Sequence, residues 1–156
     1  MYVLERTQIL PRPLTEVFAF FADAANLERM TPPFLGFQIK TPLPITMGAG
    51  TLIDYKISLH GIPMKWRTRI SEYVPGVRFV DEQLRGPYKV WHHTHEFRAV
   101  PGGTEVVDRV QYELPLGPLG KIAHALFVRR QLATIFAYRE RTMSELFGPV
   151  PARVAT

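Results

Sequence analysis

Six polar side chains capable of acid–base or hydrogen-bonding chemistry fall in three short stretches: Asp81 and Gln83, His93 and His95, Asp108 and Tyr112. Each stretch reads as a β-strand, where alternate side chains share a face. Parity places Phe79, Asp81 and Gln83 together, then Trp91, His93, His95 and Phe97, then Val106, Asp108, Val110 and Tyr112. These sets are otherwise apolar and predict the inner face of a sheet. In the strand before them Met64, Trp66, Thr68 and Ile70 form the matching set, and Lys65, Arg67 and Arg69 point outward. A buried polar group without a partner costs about 1–3 kcal/mol. The six must therefore pair with one another, with water or with a ligand.

Three roles stay open for them. One is a structural network, for example His95 donating to Asp108. Another is contact with a bound molecule. The third is general acid–base catalysis by His93 or His95, oriented by Asp81 or Asp108, with Tyr112 or Gln83 steadying an oxyanion. His-x-His on a strand also aims two imidazoles the same way, and Asp81 or Asp108 would complete a zinc site. That spacing is weakly specific, so the expectation is no metal and no cofactor. His92 is expected to face outward.

Composition removes other chemistries. Cysteine is absent, which rules out thiolate nucleophiles, disulfides and Cys-ligated zinc. No glycine-rich loop joins a strand to a helix, and no G-x-S-x-G elbow occurs. Lys and Arg number 19 against 14 Asp and Glu, a net charge of +5. The cations are scattered, with no block of five like charges, which points to solvated faces rather than a nucleic-acid surface. No apolar run approaches the roughly 18 residues of a membrane span, and Glu5 and Arg6 interrupt the N-terminal segment. The expectation is a soluble cytoplasmic protein, monomer or homodimer, without stable membrane insertion.

The elements that must position these residues follow from periodicity and turn chemistry. A β-prone segment at 2–9 ends at Pro11. Pro13 is predicted at the first position of a helix carrying Val17, Phe18, Phe20 and Phe21, and Asp23 caps a second short helix that Thr31-Pro32-Pro33 ends. An edge strand is predicted over 34–40. Five strands follow at 51–59, 62–73, 77–84, 88–98 and 104–114, joined by short turns at His60-Gly61, Pro75-Gly76, Gly86-Pro87 and Pro101-Gly102-Gly103. Residues 119–147 read as one long helix, with Ile122, Leu126, Ala133, Phe136, Met143 and Phe147 near one apolar stripe. Residues 1–147 are expected to form one domain and 148–156 a flexible tail. One helix is too narrow to fill the concave side of a twisted seven-stranded sheet, so a cavity between sheet and helix is predicted.

Several motifs carry a resemblance. Phe79-Val-Asp-Glu-Gln, Gly86-Pro87-Tyr88, Trp91-x-His93-x-His95-x-Phe97, and Gly103-Thr104 followed by Asp108 resemble a bacterial branch of the START-like superfamily of polyketide cyclases/dehydrases and lipid-transport proteins (SRPBCC). Asn26-Leu27 with Thr31-Pro32-Pro33, and Ile135-Phe136-x-Tyr138-Arg139, resemble the same branch. The resemblance spans about residues 2–147. It implies an α+β helix-grip fold, a seven-stranded curved antiparallel sheet wrapped around a long C-terminal helix, with two short helices between strands 1 and 2. It also implies a hydrophobic cavity, but no single activity.

Three functions are expected from these readings. The first is binding or transport of a small hydrophobic molecule such as a lipid, quinone or polyketide-like compound, contacted by Trp66, Phe79, Asp81, Gln83, Trp91, His93, His95, Asp108, Tyr112 and Phe136. The second is a cyclase or dehydratase using His93, His95, Asp81 and Asp108. The third is a surface adaptor for protein or membrane.

Overall fold

A computed structural model describes residues 1–59 and 61–148 of the 156. Strand β1 (Tyr2–Leu10) is followed by helices α1 (Leu14–Ala22) and α2 (Leu27–Met30), then by strands β2 (Gln38–Ile39), β3 (Leu52–Leu59), β4 (Ile62–Val74), β5 (Arg78–Arg85), β6 (Val90–Val100) and β7 (Gly103–Glu113). Helix α3 (Gly117–Ala123) runs through a π-helical stretch (His124–Val128) into α4 (Arg129–Phe147). All seven strands join one antiparallel sheet in the order β1-β7-β6-β5-β4-β3-β2. This is the helix-grip arrangement: a curved sheet closed over by a long C-terminal helix.

The local starts and stops have identifiable causes. Pro13 stands one residue earlier than predicted, as the N-cap of α1 with ψ 148°, and its carbonyl accepts from the Val17 N–H. The Asp23 carboxylate accepts from the Ala25 N–H and starts the turn into α2. The strand expected over 34–40 shrinks to two residues. Pro33–Leu35 instead forms a 3₁₀ turn, closed by Gly36 in the left-handed region at φ 54°. The predicted turn at His60-Gly61 is described only at Gly61, and of the predicted tail only Gly148 lies within the described residues.

Sheet parity holds where the sites are built. Trp66, Thr68 and Ile70 are buried on β4, His93, His95 and Phe97 on β6, and Thr104, Val106, Asp108, Val110 and Tyr112 on β7. The register slips between Ile70 and Glu72 opposite β5, leaving Ser71 as an extra residue. The bulge flips the parity, so Tyr73 turns inward against Phe18 at 5.8 Å.

Two cores flank the concave side. Leu10, Val17, Phe18, Phe21, Phe79, Phe97, Met143 and Phe147 pack under α1 and the end of α4. Val110, Tyr112, Leu132 and Phe136 pack under the start of α4. The helix is held to the β1 edge. The Gln8 amide donates to the Glu140 carbonyl at 2.8 Å, and Arg6 reaches the Ala133 carbonyl at 3.4 Å. The helix stripe differs from the prediction at its first two members. Ile122 and Leu126 are exposed, and the inward positions are Gly120, His124 and Leu132. The π-helical stretch changes the residues per turn, so a stripe drawn with one helical period loses phase across it.

Candidate functional site

Because α4 lies over β1, β7 and β6, the other half of the sheet is left under lighter cover. A cavity of about 180 Å³ opens there. Its floor is Ile53, Tyr55 and Ile57 of β3 with Trp66, Thr68 and Ile70 of β4. Phe21, Leu27, Met30, Leu35 and Met47 form its roof, with Ile135 from α4. Tyr88 and Trp91 close one side. The Tyr55–Trp66 rings stack at 5.7 Å, and Trp66 meets Trp91 edge-on at 5.4 Å. Thr68 supplies a polar spot in the floor: its hydroxyl accepts from the Trp66 indole N–H at 3.1 Å and bonds the Tyr55 hydroxyl at 3.0 Å.

Next to Trp91, whose ring lies 6.3 Å from that of His93, the residues Asp81, His93, His95 and Arg139 line the cavity together. The register makes the group. Asp81 stands across from His93 on the β5–β6 ladder, and His95 across from Asp108 on the β6–β7 ladder. His95 Nε2 lies 2.5 Å from Asp81 Oδ2, and its Nδ1 lies 3.2 Å from Asp108 Oδ1. A carboxylate on each ring nitrogen assigns His95 both protons. His93 Nε2 donates to Asp108 Oδ1 at 2.9 Å, while its Nδ1 is 3.7 Å from Asp81. Arg139 Nη2 reaches Asp108 at 3.4 Å. It is also 3.3 Å from His95 Nδ1, a hydrogen bond only if that nitrogen loses its proton.

The electrostatics agree with this assignment. Burial acts against charge at Asp108, yet the Arg139 guanidinium and the hydrogen bonds from both imidazoles hold its carboxyl well below the usual 3.8. At Asp81 burial is again overcome, by the imidazoles and then Arg139, and the pKa is lowered. His93 is pushed down, by burial first and then by the neighbouring His95 charge. His95 is pushed up, because its bonds to Asp108 and Asp81 outweigh its burial. Two carboxylates thus face the Arg139 guanidinium and His95, whose charged form they favour, while the charged form of His93 is disfavoured.

Donor atoms of Asp81, His93 and His95 lie within 4.8 Å of one another. They are engaged with each other and with Asp108, and the guanidinium brings positive charge to the same place. The geometry favours an ion-pair network over a cation.

Strand order also separates residues that parity grouped. Gln83 is turned to the β5–β6 connection, where its amide donates to the Tyr88 carbonyl at 2.7 Å and accepts from the Tyr88 N–H at 3.1 Å. The Tyr112 hydroxyl bonds His124 Nε2 at 2.7 Å. Phe136 packs in the second core, 5.6 Å from the His93 ring. None of these three, nor Asp108, lines the cavity wall, whereas Trp66, Phe79, Asp81, Trp91, His93 and His95 do. Arg139, Tyr55 and Thr68 join the site without having been singled out as site residues. Arg139 had a readable signal: Leu132, Phe136, Arg139 and Met143 follow spacings of four, three and four, which put a cation on the inward stripe.

The family model for polyketide cyclase / dehydrase and lipid transport matches residues 10–136. The chain belongs to this family. No curated protein matches the sequence. Among solved structures, a Chromobacterium violaceum protein superposes with a TM-score of 0.73 at 14% identity, covering 96% of this chain and 99% of that one. A Thermus thermophilus protein gives a TM-score of 0.62 at 18% identity, covering 94% of each chain. A nucleoside-diphosphate sugar epimerase from Corynebacterium glutamicum gives 0.64 at 26% identity, over 91% of this chain but only 28% of that one. This fold thus occurs both as most of a short chain and as part of a longer one.

Proposed function

We propose that the hollow over β3, β4 and β5 binds a small, mainly apolar organic molecule with one hydrogen-bonding end. The observation that carries this reading is the wall chemistry: aliphatic and aromatic side chains on most sides, with Asp81, His93, His95 and Arg139 converging on one. Ligand pockets combine apolar walls with a few placed polar groups in this way. An apolar hole of roughly 150 Å³ admits a benzene-sized guest. The 180 Å³ here suits a compact ring-bearing molecule, such as a quinone or polyketide fragment, better than a whole extended acyl chain.

The direct test is native mass spectrometry of the purified protein, with extraction and identification of the bound compound. The blocking variant is Ile135→Trp, which puts an indole into the hollow from a half-buried position on α4. The expected result is a ligand adduct on the parent protein and none on Ile135→Trp. Equal occupancy of both would overturn the placement.

The two histidines support a second reading, acid–base chemistry on the bound molecule. Their environments drive their pKa values apart, which is how paired groups acquire opposite roles. His93 would accept a proton at Nδ1, and His95 would be the acid. Once the ligand is known, its turnover should fall by roughly 10²-fold or more in His93→Ala and in His95→Ala. Turnover retained by both variants would leave binding alone.

A further inference from the structure

Five large apolar side chains stand in solvent along the start of the C-terminal helix. Leu116, Leu119, Ile122, Leu126 and Phe127 are each between 56 and 75% exposed. They recur at spacings of three and four residues, with Phe127 following at once. Their helix buries Gly120 and His124 instead, so the packing of the fold does not use them. Gly120 is seated so closely that a Cβ there would lie 2.3 Å from the Pro115 carbonyl oxygen. The segment is thus tightly docked by its inner side while its outer side stays apolar.

The charge around the patch is one-sided. From Leu114 to Tyr138 the sequence holds no Asp or Glu, but it holds Lys121, Arg129 and Arg130, all exposed. Elsewhere some exposed cations are answered by carboxylates, while others, such as Arg12, Arg29, Lys65 and Arg109, are not, among the described residues. Arg67 pairs with Asp54, Arg69 with Glu82, Lys89 with Glu113 and Arg98 with Glu105. Among the described residues no such partner lies within 4.0 Å of Lys121, Arg129 or Arg130.

We infer that this segment is a docking surface for an anionic lipid bilayer, with Leu119, Ile122, Leu126 and Phe127 entering the headgroup boundary and Lys121, Arg129 and Arg130 facing acidic headgroups. Exposed Leu and Phe beside unpaired Lys and Arg on one helix are what interfacial binding requires. The absence of carboxylates from this segment favours a negatively charged surface, since each basic residue near an anionic leaflet strengthens binding by about fivefold. No helix among the described residues is long and apolar enough to cross a membrane, so contact is peripheral. None of the residues of this surface lines the cavity, so the surface is independent of what the cavity binds.

The experiment is co-sedimentation of the full chain with phosphatidylglycerol/phosphatidylcholine vesicles and with pure phosphatidylcholine vesicles, over a salt series. The expected result is salt-sensitive binding to the anionic vesicles and little to the neutral ones. The pair Leu126→Asp and Phe127→Asp should weaken it about tenfold or more. The triple change Lys121→Glu, Arg129→Glu and Arg130→Glu should also weaken it and flatten its salt dependence. These side chains are exposed, and circular dichroism melts should confirm that both variants fold. Failure to bind anionic vesicles, or binding unchanged in either variant, overturns the proposal. So does a concentration-dependent dimer in sedimentation velocity that the Leu126→Asp and Phe127→Asp pair disperses, because the patch would then belong to a second copy.

Discussion

His95 stands between two carboxylates, and that position fixes how pH acts on the fold. Its folded pKa is raised above 6.5, so the stability it contributes is fully present below 6.5 and is lost as the pH climbs through the raised value. His93 works in the other direction. Its folded pKa lies below 6.5, so protonation of the unfolded chain draws stability away as the pH falls from 6.5 through the lowered value. Asp81 and Asp108 stabilise above 3.8 and lose that contribution further into acid. Stability should therefore peak near 6.5 and decline on both sides. Urea titrations across a pH series should show this dome, and His95→Gln should lose its alkaline limb. Asp108→Asn leaves Arg139 and His95 facing a single carboxylate, and breaking a buried ion pair in this way costs roughly 3–5 kcal/mol. A loss under about 1 kcal/mol, as for exposed pairs, would mean that water already reaches the network.

Strand elements were legible in the sequence because turn chemistry and alternation agree there, and the polar group came with them. His93, His95 and Asp108 share an inner face because parity runs unbroken along β6 and β7. Helical phase was less legible. Leu126 and Ile122 fit a stripe of constant period, and nothing local in His124–Val128 announces the π turn that rotates them into solvent. Gln83 shows a similar limit: alternation gives the side of the sheet, while the turn beside it decides what the amide reaches. One glycine gives a sharp test at this scale. Gly103 opens β7 beside the end of β1, and a Cβ there would fall 1.9 Å from the Leu10 carbonyl oxygen and 3.0 Å from Pro11 Cα. Backbone cannot move aside as a side chain can. Gly103→Ala should cost about 1–3 kcal/mol or more, as overpacking does. Faster hydrogen exchange should be confined to the β1–β7 pair, and uniform loss of protection across the sheet would argue against a local clash.

At the scale of the molecule, the cavity follows from where the long helix is tied. A narrow helix under a wide curved sheet predicts a void, and that much was readable from the element order. Its position was not, because the ties are single side chains: Gln8 and Arg6 from β1, and Arg139 to Asp108 of β7. All pull α4 toward one edge and leave β3 to β5 under the lighter cover of α2 and the loop carrying Met47. If the void is a binding site, occupancy must stabilise the fold by mass action, about 2.7 kcal/mol at a ligand concentration near 100 Kd. For a domain of this size that is a rise in Tm of roughly 5–10 °C. Ile135→Trp should abolish the rise while keeping the Tm of the empty protein, because the added ring enters space that is already there rather than crowding a packed core. Leu126→Asp, out on the helix surface, should keep the rise intact. Differential scanning calorimetry of the three proteins, with and without the extracted compound, separates the possibilities. A rise that survives Ile135→Trp would place the guest outside this hollow. A Tm that falls steeply in the empty variant would mean that the hollow closes in solution.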